Sequence, residues 1–265
     1  MRITILGSGS AGGVPMIGNQ WGACDPANPK NRRRRASILV EQGEAALLVD
    51  TGPDVREQLI DARVMRLDGI LYTHTHADHT HGIDEIRALN RLQRMVIPAY
   101  GTENDLGLLM KKFSYIFDEP GEYNGKIAFY KPCLEAHVLT HGAALNIAGI
   151  PVLPFEQDHG FMVSTGYRFG PIAYTTDAVE LPEQAFEALS GIDTWIIGCL
   201  QHEPHPTHAH LARILEWINR VGPRRSVLTH LSMRIDYDEL SARLPDNVVA
   251  GYDGMVVEPG VDRPN

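Results

Sequence analysis

His74-Thr75-His76-Ala77-Asp78-His79 follows the short apolar run Gly69-Ile70-Leu71-Tyr72-Thr73. Three imidazoles and a carboxylate thus fall within six consecutive residues. At the end of an extended strand alternate side chains share a face, so His74 and His76 point the same way. A turn after them brings Asp78 and His79 round to a second position close by. Imidazole and carboxylate are donors that zinc takes, and imidazole also serves manganese and iron. A polar loop holding three histidines by chance is the alternative, and the density of donors argues against it. The chain has twelve histidines and none occurs before His74, which a solvent-facing scatter would not produce.

Working outward, the 265 residues are 43% hydrophobic and 22% charged, the balance of a globular protein with a sizeable core. No repeat, low-complexity tract or linker divides them, so residues 1–265 read as one domain. No apolar run approaches the roughly 18 residues that cross a bilayer. The apolar start at residues 3–6 is too short for a secretory signal. No membrane association is expected, and a cytoplasmic location is the default. A formal net charge of −9 argues against a general affinity for nucleic acid. It leaves room for a small anionic substrate, because bound metal reverses the local field. Cys24, Cys133 and Cys199 are too scattered to frame disulfides or a zinc knuckle.

Short β-like runs are expected at residues 3–6, 37–40, 45–49, 69–73, 96–100, 127–130, 150–153, 164–169, 172–175, 194–197, 226–229 and 248–250. Helices are expected at residues 53–62, 84–94 and 208–221. The last carries an apolar stripe of Leu211, Ile214, Leu215, Ile218 and Val221, with Thr207 to cap it and Gly222-Pro223 to stop it. Within residues 101–149 a short helix at 111–117 is the only regular signal, and the rest reads as a substrate-facing insertion. Neighbouring strands early and helices between later ones predict an α/β chain built as a four-layer α/β/β/α sandwich.

The His-x-His-x-Asp-His run behind an apolar strand resembles the signature of the metallo-β-lactamase superfamily. The resemblance implies three further ligands at strand ends, and His159, Asp177 and His230 stand in those places in order. It implies two divalent ions, zinc or manganese foremost and iron as a further candidate. His74, His76 and His159 would hold one ion, Asp78, His79 and His230 the other, and Asp177 would bridge them. Asp50 matches the family's early aspartate, which fixes the histidine loop without touching metal.

Three other stretches resemble one branch of that superfamily, the phosphoribosyl cyclic phosphate phosphodiesterases. They are Gly7-Ser8-Gly9-Ser10-Ala11-Gly12-Gly13-Val14-Pro15, His205-Pro206-Thr207-His208 and Tyr252-Asp253-Gly254-Met255. The branch implies hydrolysis of small cyclic phosphates or nucleotide-like phosphodiesters by a hydroxide bridging the ions. It implies a catalytic part for Asp78 besides its ligand role, and His208 as proton donor with His205 in reserve. Against either histidine, a helix N-terminus disfavours protonated imidazole. A homodimer is expected from the resemblance and from the prevalence of two-fold oligomers.

Gly7-x-Gly9-x-x-Gly12 also fits a dinucleotide fingerprint, but that needs a helix at once and an acidic residue about 20 positions on. Residues 14–18 do not start a helix, so the loop is expected to shape the metal pocket instead. Close relatives carry a cysteine cluster after this loop that binds a third, structural zinc. Only Cys24 is present here, so none is expected. Arg32, Arg33, Arg34 and Arg35 form the densest positive charge, either a solvated loop or one with an arginine on a substrate phosphate. Two other hydrolytic readings compete: a lactone or thioester hydrolase, and a tRNA 3′-processing nuclease. The acidic balance speaks against the nuclease. A binding protein that had lost catalysis would not need a complete ligand set.

Overall fold

The computed structural model describes residues 1–118 and 132–260, with the backbone alone of two short strands between them. β1 (Arg2–Gly7), β2 (Ser37–Gln42) and β3 (Ala45–Val49) form an antiparallel meander. Helix α1 (Val55–Asp61) leads to β4 (Gly69–Leu71), parallel to β3. Helix α2 (Ala77–Thr80), a 3-10 turn at Ile83–Ile86 and α3 (Arg87–Gln93) precede β5 (Ile97–Gly101). Helices α4 (Glu103–Lys112) and α5 (Ser114–Phe117) are followed by β6 (Glu122–Tyr123), β7 (Lys126–Ile127) and β8 (Leu134–Val138). The second half runs β9 (Leu145–Ile147), β10 (Ile150–Asp158), β11 (Val163–Phe169), β12 (Ile172–Thr175), α6 (Glu183–Leu189) and β13 (Thr194–Gly198). It ends with α7 (Leu211–Val221), β14 (Arg225–Thr229), α8 (Tyr237–Ser241), β15 (Val248–Ala250) and β16 (Val256–Val257).

Two sheets result, ordered β16-β1-β2-β3-β4-β5-β8 and β15-β14-β13-β12-β11-β10-β9. The period-two rule explains the layers. Ile38, Val40, Leu47 and Val49 enter the core between the sheets, where they meet Tyr167, Phe169, Ile196 and Val227. The alternate residues Leu39 and Leu48 face outward, under Val55, Leu59 and Leu109 of the first helical layer. On the second sheet Trp195, Ile197 and Leu228 face Leu189, Ile214 and Ile218. Each such side chain contributes roughly 1.5–3 kcal/mol on burial, and the four-layer sandwich follows from strands apolar on both faces. Among the described residues no helix is long and apolar enough to cross a membrane.

Several expectations need correction. The strand at residues 69–73 stops at Leu71, because the Thr73 amide leaves the ladder to donate to Asp50 Oδ1 at 2.8 Å. The helix expected from residue 208 starts at Leu211, with His210 at its cap and no side-chain bond there. The Thr207 hydroxyl, expected as the cap, instead meets His208 Nδ1 at 2.8 Å. The segment 101–149 is not an insertion, since it supplies β8 and β9, the edge strands of the two sheets. The helix expected at 111–117 is split between the end of α4 and α5. Of the strand expected at 127–130, residues 128–130 lie outside the described residues. No helix follows the glycine loop; the next helical turn is Pro29–Asn31, which removes the dinucleotide reading.

The Asp-Gly-Met tail and the glycine loop are tied to each other. Asp253 Oδ1 accepts from Ser8 N and Ser8 Oγ, both at 2.8 Å. Its Oδ2 accepts from Arg34 N at 2.8 Å and Arg34 Nε at 3.1 Å. Asp253→Ala strands these donors in a largely buried corner, and we expect a loss of about 2–4 kcal/mol in unfolding free energy by urea denaturation. A loss below about 0.5 kcal/mol, the size of an ordinary surface change, would mean that the network holds nothing.

Candidate metal centre

Strands β3 and β4 of one sheet run parallel to each other, as do β12, β13 and β14 of the other, and their C-terminal ends meet at one edge of the sandwich. Such ends are where open α/β sheets place their sites. Asp50 follows β3, His74 comes just beyond β4, His159 follows β10, Asp177 lies beyond β12 and His230 follows β14. Asp50, Asp177 and His230 have φ of 65°, 53° and 55°. This left-handed conformation is costly for such residues, about 1–3 kcal/mol each, and concentrates at functional sites. Gly52 lets the loops close on one another: a Cβ there would stand 2.2 Å from the Asp78 carbonyl oxygen.

The donors converge in two groups that share Asp177. His76 Nδ1 lies 3.0 Å from His74 Nε2 and 3.3 Å from His159 Nε2. His79 Nε2 is 3.2 Å from both Asp78 Oδ2 and Asp177 Oδ2. His230 Nε2 is 3.4 Å from Asp177 Oδ2 and 3.8 Å from Asp78 Oδ2. His159 Nε2 is 3.7 Å from Asp177 Oδ1. Ligands about 2.05 Å from a tetrahedral ion stand roughly 3.3 Å apart, so these spacings are those of a coordination shell.

Proton positions point the same way. His79 Nδ1 donates to Asp50 Oδ2 at 2.7 Å, and His159 Nδ1 donates to the Thr207 carbonyl at 2.7 Å. The Thr73 hydroxyl gives its proton to Asp50 Oδ2 at 2.8 Å, so its contact of 3.0 Å with His74 Nδ1 needs the imidazole as donor. With Nδ1 protonated, the neutral rings of His74 and His159 turn the lone pair of Nε2 inward, and His79 turns its Nε2 the same way. The Nε2 atoms of His79 and His230 are buried without any hydrogen-bond partner among the described residues. Inward lone pairs and orphaned ring nitrogens fit divalent cations.

The electrostatics are polarised. Burial holds His74 well below the usual imidazole range, with repulsion from His79 adding to it. Burial, and after it the charge of His208, also lowers His159. Burial alone would lower His79 too, but the carboxylates of Asp177, Asp78 and Asp50 outweigh it and hold the ring well above its usual range. Burial likewise pushes Asp177 up, yet His230 and His79 more than reverse this. Asp78 and Asp177 are thus held ionised, and the centre is built for positive charge.

His208 was expected at a helix start, but it sits in the loop before α7, where its Nε2 donates to Asp177 Oδ1 at 2.8 Å. Its ring stacks on His230 at 5.2 Å and meets His159 edge-on. His205 lies behind it, Nδ1 to Nδ1 at 3.2 Å. His81 turns away and packs edge-on against Phe113. The glycine loop does reach the centre, since Leu231, next to His230, pairs with Ser8 and Ser10. Of the two readings of the arginine run, a solvated loop or one arginine on a substrate phosphate, neither accounts for Arg33, Arg34 and Arg35, which are engaged within the chain. Arg33 is buried on the carbonyls of Ser232 and Ile235, Arg34 binds Asp61 and Asp253, and Arg35 binds Asp54. Arg32 stacks over Trp21. Cys24 is buried with its Sγ 3.2 Å from the Ile235 carbonyl. Sequence reading missed Thr73 and the Thr207 carbonyl as orienting groups, and Lys112, whose Nζ donates to the Thr75 carbonyl at 3.1 Å.

Residues 46–231 match the family described as the Beta-lactamase superfamily domain. A crystal structure of a diphosphatase from the PhnP family superposes with a TM-score of 0.87 at 33% identity, over 97% of each chain. The chain belongs to the β-lactamase superfamily and, within it, to the PhnP family. Among curated relatives, a Porphyromonas gingivalis protein named octanoyltransferase is 29% identical over 96% of this chain and 51% of its own length. Ribonuclease Z of a Bradyrhizobium strain is 29% identical over 53% of this chain and 46% of its own. The chain therefore spans about half the length of these curated relatives.

Proposed function

We propose that this chain is a dinuclear metal-dependent hydrolase of phosphorus esters, with small cyclic phosphates or nucleotide-like phosphodiesters as substrate. The observation that carries this reading is the two donor groups meeting at Asp177, with the His208 proton on that same carboxylate. His74, His76 and His159 would hold one ion and Asp78, His79 and His230 the other. Asp177 would serve both. When bound, such ions supply Lewis acidity, activating water at neutral pH and neutralising charge that builds on phosphorus.

The chain's own residues do the rest. Asp50 fixes His79, and through Thr73 it fixes His74, so the ligands are oriented before substrate arrives. The Thr207 carbonyl does the same for His159. His208 carries a proton on Nε2 beside the centre. As the phosphorus–oxygen bond breaks, that proton passes to the leaving alkoxide. To act so, His208 must carry a proton on each ring nitrogen, and Thr207 Oγ1 at 2.8 Å and His205 at 3.2 Å contact the other nitrogen and hold the ring in place. His205 is the weaker donor candidate, because burial and then the charges of His208 and Arg234 hold it below the usual range.

A second reading, hydrolysis of a diphosphate linkage, is favoured by the diphosphatase at 33% identity. It uses the same centre and the same attack on phosphorus. A tRNA-processing role fits less well with a net charge of −9. The test is turnover of bis(p-nitrophenyl) phosphate, a cyclic nucleotide, a nucleoside diphosphate, p-nitrophenyl acetate and a lactone, on chelated and metal-reloaded protein. We expect metal-dependent cleavage of the phosphorus substrates alone. Turnover of acetate or lactone with none of the phosphorus substrates would overturn the reading.

A further inference from the structure

We propose that Arg33 is a positioning residue for the ion assigned to Asp78, His79 and His230. Its buried guanidinium fixes the strap behind His230, residues 231–236, and so keeps that ring aimed at the centre. This rests on the reading of those three side chains as the donors of one of two ions.

The need arises at His230. His74, His79 and His159 each have Nδ1 held from outside, by Thr73, Asp50 and the Thr207 carbonyl. His230 differs, because its Nδ1 is buried without a hydrogen-bond partner among the described residues. Its ring is held on its flat faces, stacked 6.0 Å from His79 and 5.2 Å from His208. Stacking lets a ring slide in its own plane, so the direction of Nε2 falls to the backbone. That backbone is left-handed, with φ of 55°, a conformation that a histidine keeps only where its surroundings impose it.

The strap imposes it, and Arg33 closes the strap. At its start, Leu231 N donates to the Ser8 carbonyl at 2.8 Å and Ser10 N to the Leu231 carbonyl at 3.3 Å. Past Leu231 the chain wraps round the guanidinium. One terminal nitrogen of Arg33 donates to the carbonyls of Ser232 and Ile235 at 3.0 and 2.8 Å. The other donates to Asn31 Oδ1 at 3.1 Å, an oxygen that also accepts from Tyr237 N at 2.8 Å. Asn31 Nδ2 in turn donates to Asp236 Oδ2 at 2.6 Å. From the other side Ala23 N donates to the Met233 carbonyl at 2.8 Å.

Arg33 is 2% exposed. Its contacts are the Cys24 sulfur, two carbonyls and an amide oxygen, with no carboxylate among them. Burying a guanidinium without a carboxylate is costly, and an apolar side chain would fill the space at a smaller penalty. What only the planar fork supplies is several N–H donors in fixed directions, here spread over Ser232, Ile235 and Asn31. Those directions hold the strap in register with His230.

The test is calorimetric titration of zinc into chelated protein, parent against Arg33→Met, with backbone hydrogen exchange on the metal-free forms. Circular dichroism and melting temperature would report whether each variant is folded. In Arg33→Met we expect one ion to bind about 10–100-fold more weakly, the span for a residue behind a ligand, while the other keeps its parent affinity. Exchange should rise at Leu231 and Ser232 and stay as in the parent at Thr51 and Thr73, whose amides serve the Asp50 side of the centre. Arg33→Lys, which keeps the charge and reaches one carbonyl, should recover part of the loss, and Arg32→Ala should cause none. Arg33→Gln, which removes one arm of the fork, gives the same comparison in place of a methionine variant that fails to fold. Parent affinity for both ions in the folded variant, equal weakening of both, or unchanged exchange at Leu231 and Ser232 would each overturn the assignment. A parent chain that takes up fewer than two ions sinks the two-ion reading instead, and that is seen before any variant is made.

Discussion

Asp177→Asn is expected to reduce turnover by at least about 10³-fold and to lower the number of metal ions retained per chain. The substitution keeps the shape of the side chain and removes its charge. Asp177 Oδ2 faces His79 and His230 at 3.2 and 3.4 Å, while Oδ1 faces His208 and His159 at 2.8 and 3.7 Å. Asp177 thus turns one carboxylate oxygen toward each donor group. An amide nitrogen would also turn a donor toward cations. Metal analysis after dialysis, beside turnover, reads both effects, and retention of full metal with near-parent turnover would remove Asp177 from the centre. The same carboxylate gives the metal-free protein a pH dependence. Its pKa is held well below the ordinary value, chiefly by His230 and His79 against the opposing effect of burial. It therefore contributes stability that is complete above about pH 4. That stability is lost as the pH falls toward the depressed folded value, and the asparagine variant should lack this part of the acid transition.

His208→Ala is the second large effect, and its signature is selectivity among leaving groups. An alkoxide must be protonated as it departs, so we expect kcat to drop about 10²–10⁴-fold for a cyclic nucleotide. p-Nitrophenolate leaves without a proton, so for bis(p-nitrophenyl) phosphate the loss should stay within about tenfold. Metal content should persist, because the six other side chains grouped around Asp177 remain. Equal losses on both substrates would mean that His208 serves to hold Asp177 in place rather than to move a proton. His205→Ala should cost less than His208→Ala on the cyclic substrate, because His205 reaches the centre only through His208.

Much of this candidate centre was legible because its donor side chains sit on short, strictly spaced segments. His74, His76, Asp78 and His79 declare themselves within one turn of chain, and His159, Asp177 and His230 each follow a strand whose apolar run is easy to see. The four layers were legible for the same reason, as strands such as residues 45–49 are apolar on both faces. What could not be read depended on partners far along the chain. Arg33, Arg34 and Arg35 look alike in sequence, yet the partners that engage them are as distant as Asp54, Ile235 and Asp253. The start of α7 was misplaced because Thr207 reads as a cap, while its hydroxyl and carbonyl are both spent on imidazoles. Helix α4 was missed because its polar, glycine-containing sequence has only a weak apolar stripe, although Thr102 caps it by accepting from Asp105 N. Lys112 at its end gave no signal, since its acceptor is a backbone carbonyl.

The most direct test of the central claim is a metal titration of the chelated protein, followed by bis(p-nitrophenyl) phosphate turnover as zinc or manganese is added. The account predicts that turnover rises until two equivalents per chain are bound, and that p-nitrophenyl acetate is not cleaved at any point. Full phosphodiesterase activity at one equivalent, or activity indifferent to metal, would contradict a centre that needs both donor groups around Asp177.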